Sequence, residues 1–277
     1  MTTASPRFFS RLFRSLATAG ALLASAAVAG CDAPSDPDVA PISDRAVEVV
    51  EGGAGDTTVV FESGFGNDWT PWKQVAGEVA TRARTFAYSR PGYGKSAPSP
   101  EPRDAAHIVE DLRALLASRG HAPPYVLVGH SFGGAYMELF AKAHPEEVRG
   151  VVLVDPRHRD FTTACEVADL QGCTIPASVV DTLPPVQIDE FEAFAQTSDQ
   201  IRAAGGFGLY PVRVLTATLH GFSPKTEALW ESMHATLAGE AAAGRQTLFP
   251  KAGHYLQLQR PHEVAEVILS LVPPPEG

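Results

Sequence analysis

A five-residue segment between a strand pattern and a helix pattern constrains the fold of this chain most strongly. Residues 125–128 are continuously apolar, which is typical of a strand that is covered on both faces of a sheet. The sequence Gly-His-Ser-Phe-Gly follows at 129–133, and a helical pattern begins directly after the serine. Gly129 and Gly133 permit a sharp turn from strand to helix, and this turn holds Ser131 in a strained position with its hydroxyl exposed.

The rest of the chain alternates between strand and helix patterns. Further strands are predicted at 46–51, 57–62, 85–88, 151–154, 212–215 and 246–249. Helices are predicted at 72–82, 103–118, 132–143, 187–204, 224–243 and 261–271. A glycine-rich segment at 52–56 predicts that the first two strands form a hairpin. The alternation as a whole predicts an α/β fold, with a mostly parallel sheet flanked by helices.

Residues 1–30 have the pattern of a signal peptide and are separate from the folding domain. Three arginines precede an apolar run at 16–29, which is shorter than the roughly 20 residues that a membrane-spanning helix needs. The run ends in Val-Ala-Gly-Cys, which resembles the lipobox of bacterial lipoproteins, where the cysteine becomes the lipidated first residue of the mature chain. We therefore expect an exported bacterial lipoprotein, anchored through Cys31 in a lipid bilayer of the cell envelope, on its periplasmic or outer surface. Cleavage after a small residue, with Cys31 incidental, is the alternative.

The remainder divides into a tether, a domain and an insertion within that domain. Residues 31–45 are rich in Pro, Asp and Ser and indicate a flexible tether behind the anchor, and 46–277 form the folded domain. The stretch 156–210 is too long for a simple connection and indicates a lid or cap. It carries Cys165 and Cys173, which we expect to form a disulfide in the oxidising compartment that export implies.

Composition excludes several classes of protein. The chain has 22 Lys and Arg against 32 Asp and Glu, a net charge of −10, whereas a nucleic-acid-binding protein needs a basic face. A hydrophobic content of 44% excludes global disorder. Neither paired cysteines nor closely spaced histidines indicate a metal site. We expect no nucleotide either, because a Walker A motif over 89–96 would need glycine where Ser89 stands.

In its strand–turn–helix context the Gly-x-Ser-x-Gly motif resembles the nucleophile elbow of the α/β-hydrolase superfamily. The resemblance extends over nearly all of 46–272. Residues 63–67 (Ser-Gly-Phe-Gly-Asn) match the superfamily's oxyanion loop, and 89–96 look like its loop after the next strand, with serine in place of the usual first acid. The resemblance implies an α/β-hydrolase fold with a small lid or cap insertion. It also implies that the backbone N–H groups of Phe65 and Phe132 form an oxyanion hole.

The same resemblance implies a catalytic triad that begins with Ser131. His254 follows the last predicted strand, where the superfamily keeps its catalytic histidine. Most members carry an aspartate after the strand that here is 212–215, but no carboxylate follows that strand before the next predicted helix. Some branches carry the acid one strand earlier, and Asp155 ends that strand here. Asp155 is therefore the expected acid, with Asp160 or a dyad without an acid as alternatives.

These residues predict a carboxylesterase-like serine hydrolase that cleaves an ester, or a related acyl bond, of a small-molecule substrate through an acyl-enzyme, with no metal or other cofactor. His220 and His158 are candidate substrate contacts. Five aromatic side chains of the insertion either line an apolar pocket or hold the insertion on the core: Phe161, Phe191, Phe194, Phe207 and Tyr210. Two alternatives are a cofactor-free peroxidase or perhydrolase with the same triad, and a non-catalytic binding module of the envelope.

Overall fold

The computed structural model describes residues 38–42 and 45–274. The predicted leader at 1–30, the lipidation candidate Cys31 and part of the predicted tether lie outside these residues. None of the helices in the described ranges is long and apolar enough to cross a membrane.

Eight strands of the described chain form one sheet. They are β1 (Asp38–Ile42), β2 (Arg45–Gly52), β3 (Thr58–Glu62), β4 (Arg84–Tyr88), β5 (Tyr125–His130), β6 (Val148–Val154), β7 (Val212–Ala217) and β8 (Gly244–Phe249). Their order across the sheet is β1-β2-β4-β3-β5-β6-β7-β8. The β1–β2 and β2–β4 pairs are antiparallel, whereas β3 to β8 pair in parallel. The predicted mostly parallel sheet is confirmed.

The predicted hairpin between the first two strand patterns is wrong, because β4 lies between β2 and β3 in the sheet. The glycine-rich segment crosses the end of the intervening strand instead of making a tight turn. At Gly53, with φ +68°, a Cβ atom would lie 2.1 Å from the carbonyl oxygen of Ala83, the residue before β4. The hairpin that does form joins β2 to β1, so the predicted tether at 31–45 contains a strand.

Ten α-helices are seen within the described residues: α1 (Lys73–Val79), α2 (Ala105–Ser118), α3 (Phe132–Ala143), α4 (Phe161–Val167), α5 (Ala177–Val180), α6 (Pro185–Glu192), α7 (Phe194–Ala203), α8 (Pro224–Gly239), α9 (Leu256–Gln259) and α10 (Pro261–Leu269). Short 3₁₀ helices lie at Thr70–Trp72 and Pro145–Glu147. The single helix predicted at 187–204 is two helices, α6 and α7, which are separated at Ala193. The insertion thus contains four helices.

Helices cover both faces of the sheet, which explains the continuous apolar strands. Alternate strand residues point to opposite layers. Val60 and Leu127 pack in one layer with α2 and α3, and Val59 and Val128 pack in the other with α1 and α10. The carboxyl ends of the parallel strands meet at one edge of the sheet. The loops after β3, β5, β6, β7 and β8 therefore present their residues at a common place.

Candidate active site

The turn after β5 places Ser131 at the N-cap of α3, directly before its first residue, in a strained backbone conformation. Ser131 has φ 54° and ψ −120°, a region that L residues rarely adopt. Its flanking glycines are sterically required. A Cβ atom at Gly129 would lie 2.3 Å from the carbonyl oxygen of Gly133, and one at Gly133 would lie 2.5 Å from the carbonyl oxygen of Glu62. The sharp turn therefore requires glycine at both positions, Gly129 and Gly133, from which the sequence predicted it.

The structure brings Ser131, His254 and Asp155 into one line of hydrogen bonds. Nε2 of His254 lies 3.0 Å from the Oγ of Ser131, and Nδ1 of the same ring lies 2.6 Å from Oδ2 of Asp155. His254 must carry its proton on Nδ1 to donate to the carboxylate, which leaves Nε2 free to accept from the serine hydroxyl.

Asp155 is fully buried and receives hydrogen bonds from more than His254. Its Oδ1 accepts from the backbone N–H of Ala217 at 2.9 Å and from Nε1 of Trp230 at 3.0 Å. Its Oδ2 also lies 2.7 Å from Nε2 of His220. Burial opposes ionisation, but the hydrogen bonds from His220 and His254 outweigh it and hold the pKa of Asp155 well below its usual value. This carboxylate is ionised throughout the neutral range.

His220 occupies the loop after β7, where the sequence lacks a carboxylate. Its ring lines the same cavity as Ser131, so the predicted substrate contact stays a prediction. Both of its ring nitrogens are already engaged within the chain, with Asp155 at Nε2 and with Oε2 of Glu227 at Nδ1, 2.7 Å away. Sequence analysis missed Glu227 and Trp230 because both lie on α8, away from any catalytic motif.

His158 does not line the cavity, which corrects its proposed role as a substrate contact. Its side chain is 4% exposed, and its Nδ1 accepts from the backbone N–H of Asp160 at 3.1 Å. Burial, followed by the nearby charge of Arg159, lowers the pKa of His158 to about 4. Asp160, the alternative acid, forms an ion pair with Arg202 at 2.7 Å, whereas the Nδ1 of His254 is hydrogen-bonded to Asp155.

His130 packs beneath the elbow. Its Nε2 lies 3.0 Å from the carbonyl oxygen of His254, and the two rings have centroids 4.6 Å apart. Complete burial, together with the neighbouring His254, lowers the pKa of His130 to about 3. His130 is therefore a neutral support for the His254 loop.

The loop after β3 lies against the serine. A Cβ atom at Gly64 would come within 3.2 Å of the Cβ of Ser131. In the part of the chain that the structure describes, the backbone N–H groups of Phe65 and Phe132 have no acceptor. Both residues line the cavity next to Ser131. An oxyanion hole consists of such free backbone N–H groups next to the nucleophile, so these two N–H groups are candidates for one.

Arg90, from the 89–96 segment, holds this loop in place. Its Nη1 donates to the carbonyl oxygen of Ser63 at 2.6 Å, and its Nη2 donates to that of Gly64 at 2.9 Å. The side chain is 1% exposed and rests on the rings of Tyr93 and Tyr136, 5.2 and 5.4 Å from their centroids. The segment that resembles a family loop thus serves to fix the carbonyl groups beside the serine.

A buried ion network ties the insertion to the same arginine, and nothing in the sequence pattern indicated it. Glu190 on α6 is fully buried and pairs with Arg90 and Arg103, each at 2.8 Å. Arg90 also pairs with Glu62 at 2.5 Å, at the end of β3. One guanidinium therefore joins the insertion, the sheet and the loop after β3.

A cavity of about 900 Å³ lies between the carboxyl edge of the sheet and the insertion. Ser131 and His254 are on its wall. Its aromatic lining consists of Phe65, Phe132, Phe191, Phe194, Phe222, Trp230 and Tyr255. Its size, and a lining that combines these aromatic side chains with polar and charged ones, fit a small-molecule site.

Only two of the five aromatic residues singled out in the insertion line this cavity, Phe191 and Phe194. The other three hold the insertion on the core. Phe161 is fully buried, Phe207 packs with its centroid 4.9 Å from Nζ of Lys142, and the hydroxyl of Tyr210 donates to the carbonyl oxygen of Ala141 at 2.5 Å.

Cys165 and Cys173 form the predicted disulfide, which closes a loop on the cavity wall. Arg157 braces this loop. Its Nη2 donates to the carbonyl oxygen of Cys173 at 2.9 Å and to Oγ1 of Thr162 at 2.6 Å. The disulfide therefore fixes a part of the insertion that lines the same cavity as Ser131.

Asp155, His220 and His254 also have potential metal-ligand atoms within 4.8 Å of one another. Each of these atoms takes part in a hydrogen bond of 2.6–2.7 Å, so shared protons account for the close approach. The other nitrogen of His254 faces Ser131, and that of His220 faces Glu227. The donor set fits a hydrogen-bonded chain and does not require a metal.

Comparison with known proteins agrees with this geometry. The chain is 36% identical over 104 residues to the uncharacterised protein YqjL of Bacillus subtilis, a match that covers 38% of this chain and 41% of that protein. The chain thus matches less than half the length of this relative. It is 28% identical over 213 residues to lipase LipV of Mycobacterium tuberculosis, covering 66% of this chain and 81% of that protein.

Among solved structures, the crystal structure of epoxide hydrolase A from Mycobacterium thermoresistibile superposes with a TM-score of 0.68 at 18% identity. The match covers 86% of this chain and 98% of the other, and at this identity it shows the shared fold alone. The profile of the alpha/beta hydrolase family matches residues 59–267, which is most of the chain. By its sheet, its elbow and this match, the chain belongs to the alpha/beta hydrolase family.

Proposed function

We propose that this protein is a serine hydrolase that cleaves a carboxylic ester, or a related acyl bond, through an acyl-enzyme. The observation that carries the proposal is the line from Ser131 Oγ through His254 to Asp155, at the wall of a cavity with a largely aromatic lining beside the serine. Serine is a poor nucleophile unless a base removes its proton during attack, and His254 is placed to do so. Asp155 holds the imidazole with its proton on Nδ1 and stabilises the imidazolium that forms.

The reaction follows from these positions. Ser131 Oγ attacks the substrate carbonyl carbon while its proton passes to Nε2 of His254. The N–H groups of Phe65 and Phe132 bind the oxyanion, and each such donor typically contributes about 2.7–4 kcal/mol. His254 then gives its proton to the departing alcohol, which leaves an acyl group on Ser131. Water, activated by the same imidazole, attacks the acyl-enzyme and releases the acid.

The cavity favours an ester with an apolar acyl or alcohol group. Its aromatic wall offers dispersion and area burial to such a group, while charged side chains, among them Arg157 and Arg202, line other parts of the same cavity. The relatives include a protein named as a lipase and structural neighbours named as epoxide hydrolases and a carboxylesterase. We favour ester cleavage over epoxide opening because the elbow carries serine, whereas the epoxide-hydrolase branch uses an aspartate nucleophile there.

An activity-based probe tests the proposal. A fluorophosphonate should label the wild-type protein, and Ser131→Ala should abolish labelling. Ser232→Ala, at an exposed serine on α8, is the matched control and should label normally. A p-nitrophenyl ester series of increasing chain length then gives the acyl preference. Failure of the wild-type protein to label, or equal labelling of Ser131→Ala, would contradict the serine mechanism. An activity that requires hydrogen peroxide would point to the perhydrolase alternative.

The leader suggests where the enzyme acts. We infer, from the arginines and the Val-Ala-Gly-Cys sequence that ends at Cys31, a lipid-anchored protein of the bacterial envelope. Metabolic labelling with a radioactive fatty acid should mark the wild-type chain and should not mark Cys31→Ala. No labelling of the wild type, or a mature protein without Cys31, would favour ordinary cleavage, and equal labelling of both chains would place the lipid at another residue.

A further inference from the structure

Behind Asp155 the line of hydrogen bonds continues to a second histidine and a second carboxylate. Nε2 of His220 lies 2.7 Å from Oδ2 of Asp155, and Nδ1 of His220 lies 2.7 Å from Oε2 of Glu227. The His220 side chain is 4% exposed. Oδ2 of Asp155 therefore has two imidazoles as neighbours, His254 on one side and His220 on the other.

The hydrogen-bond partners of His220 indicate how many protons its ring carries. An ionised carboxylate only accepts hydrogen bonds, and a neutral imidazole has only one N–H to donate. Glu227 is held as a carboxylate by two backbone donors, since its Oε1 accepts from the N–H groups of His220 at 2.8 Å and Phe222 at 3.2 Å. Asp155 accepts from Ala217 and Trp230 as well. Both nitrogens of His220 thus face acceptors and both require a proton.

We propose that His220 is an imidazolium at working pH, held between Glu227 and Asp155, and that it acts as a positioning residue which lowers the basicity of His254. The proposal rests on the proposed function, because His254 is taken as the catalytic base. His220 fixes the carboxylate of Asp155 and shares its negative charge. Asp155 consequently attracts the proton of His254 less strongly than an aspartate with one histidine partner would.

The surroundings support this charge assignment. The pKa of His220 is raised: burial opposes the charge, but the hydrogen bonds and charges of Asp155 and Glu227 outweigh it. The ring of His220 lies 6.0 Å from that of His254 between centroids, and the Glu227 carboxylate contacts Nδ1 of His220, the ring nitrogen that does not face Asp155. Two further histidines near this pair are neutral, since burial lowers the pKa of His234 to about 4 and that of His130 to about 3. Phe222 and Trp230 cover the rest of the ring.

Glu227→Gln removes the imidazolium with little change of shape. The amide oxygen can keep the two backbone N–H groups, and the amide nitrogen then donates to Nδ1 of His220. His220 becomes neutral and still donates to Asp155 from Nε2. The carboxylate of Glu227 and the imidazolium of His220 together have zero net charge, and so do the amide and the neutral imidazole in the variant. The substitution therefore changes only the local electric field at His254.

The experiment compares pH profiles of kcat/KM for a p-nitrophenyl ester. The acid limb reports the loss of the proton from His254 in the free enzyme. In Glu227→Gln the midpoint of this limb should move upward by about half a pH unit or more, because the nearby cation is gone. Glu231→Gln, at an exposed position on the same helix, is the matched control and should leave the limb unchanged. A loss of activity at every pH, with the limb unmoved, would show a merely structural role.

A second measurement does not depend on the Glu227→Gln variant or on esterase activity. In wild-type protein labelled with ¹⁵N-histidine, both ring nitrogens of His220 should show shifts of protonated nitrogen at pH 7.5. The signals are assigned by their loss in His220→Gln. A neutral His220 in the wild type would overturn the inference. Failure of the fluorophosphonate to label Ser131 would instead overturn the proposed function, so the two failures can be told apart.

Discussion

Oδ2 of Asp155 lies 2.6 Å from Nδ1 of His254, although 99 positions separate the two residues in the chain. Asp155 follows β6 with φ +45°, and its N–H donates to the carbonyl oxygen of Leu215 on β7. This left-handed turn at the strand end brings the carboxylate under the loop that carries His254. The position after β7, which holds His220, therefore does not need an acid.

Asp155→Asn should lower kcat by three to four orders of magnitude, because the amide cannot stabilise the imidazolium and favours the wrong tautomer of His254 (about 10⁴-fold where this substitution has been measured in a triad). The measurement is ester turnover, with circular dichroism to show that the fold is kept. Asp160→Asn is the control. Asp160 pairs with Arg202 outside the line of hydrogen bonds, so this change should alter kcat less than twofold. The reverse ranking would assign the acid to Asp160.

The sequence was sufficient to predict the parts of the site that depend on local backbone chemistry. Gly129 and Gly133 are forced by close contacts within the turn itself, and the structure places Ser131 where the motif predicted. The parallel strands were predicted because burial on both faces leaves a continuous apolar run.

Long-range polar partners could not be predicted in this way. Glu190 and Arg90 are 100 positions apart, and a charged residue in a helical pattern normally indicates a solvated face rather than a buried ion pair. The wrong prediction of a hairpin at 52–56 also arose because the partner of a strand is set by residues distant in the sequence. The glycine-rich segment permits a tight turn, but only the tertiary fold shows that β4 occupies the place beside β2.

The buried network around Arg90 predicts an unequal cost for two substitutions. Glu190→Gln should reduce the free energy of unfolding by about 3–5 kcal/mol. The substitution removes one of the two carboxylates that pair with the buried guanidinium of Arg90, and it also removes the carboxylate that pairs with Arg103. Since Arg90 also fixes the Gly64 carbonyl, kcat should fall as well.

Glu147→Gln provides the comparison, because the ion pair of Glu147 with Arg113 is partly exposed and should contribute at most about 1 kcal/mol. Chemical denaturation of both variants measures the difference. Equal costs would show that the buried network does not hold the insertion in place.

The elbow predicts that a single methyl group is not tolerated at Gly133. The Cβ of Gly133→Ala would press on the carbonyl oxygens of Glu62 and Ser63, both 2.5 Å away, and backbone atoms cannot rotate aside. We expect a loss of about 3 kcal/mol and of most fluorophosphonate labelling. Gly239→Ala on α8 has open space around its Cβ and should instead be neutral or stabilise by up to about 1 kcal/mol. Normal labelling of Gly133→Ala would contradict the strained geometry.

Buried neutral histidines predict that stability falls as pH falls below 6.5. His234 is fully buried; its Nδ1 lies 2.9 Å from Oγ1 of Thr216, and its Nε2 lies 2.8 Å from the carbonyl oxygen of Pro156. Burial lowers its pKa to about 4, against about 6.5 in the unfolded chain. Between these values the unfolded chain binds a proton that the folded chain does not. The free energy of unfolding therefore decreases by up to about 1.4 kcal/mol per pH unit for this histidine as pH falls.

His234→Gln isolates this contribution, because the amide can keep both hydrogen bonds and does not titrate. Guanidinium unfolding at pH 6.5, 5.5 and 4.5 should show a shallower decline in this variant than in the wild type. His262→Gln is the control. His262 is exposed, and neighbouring Glu78 and Glu266 raise its pKa, so any slope that it adds near pH 6.5 has the opposite sign to that of His234 and disappears as pH falls further. Parallel declines in all three proteins would mean that His234 is already protonated in the folded chain, and its bond to Thr216 would then have to reverse direction.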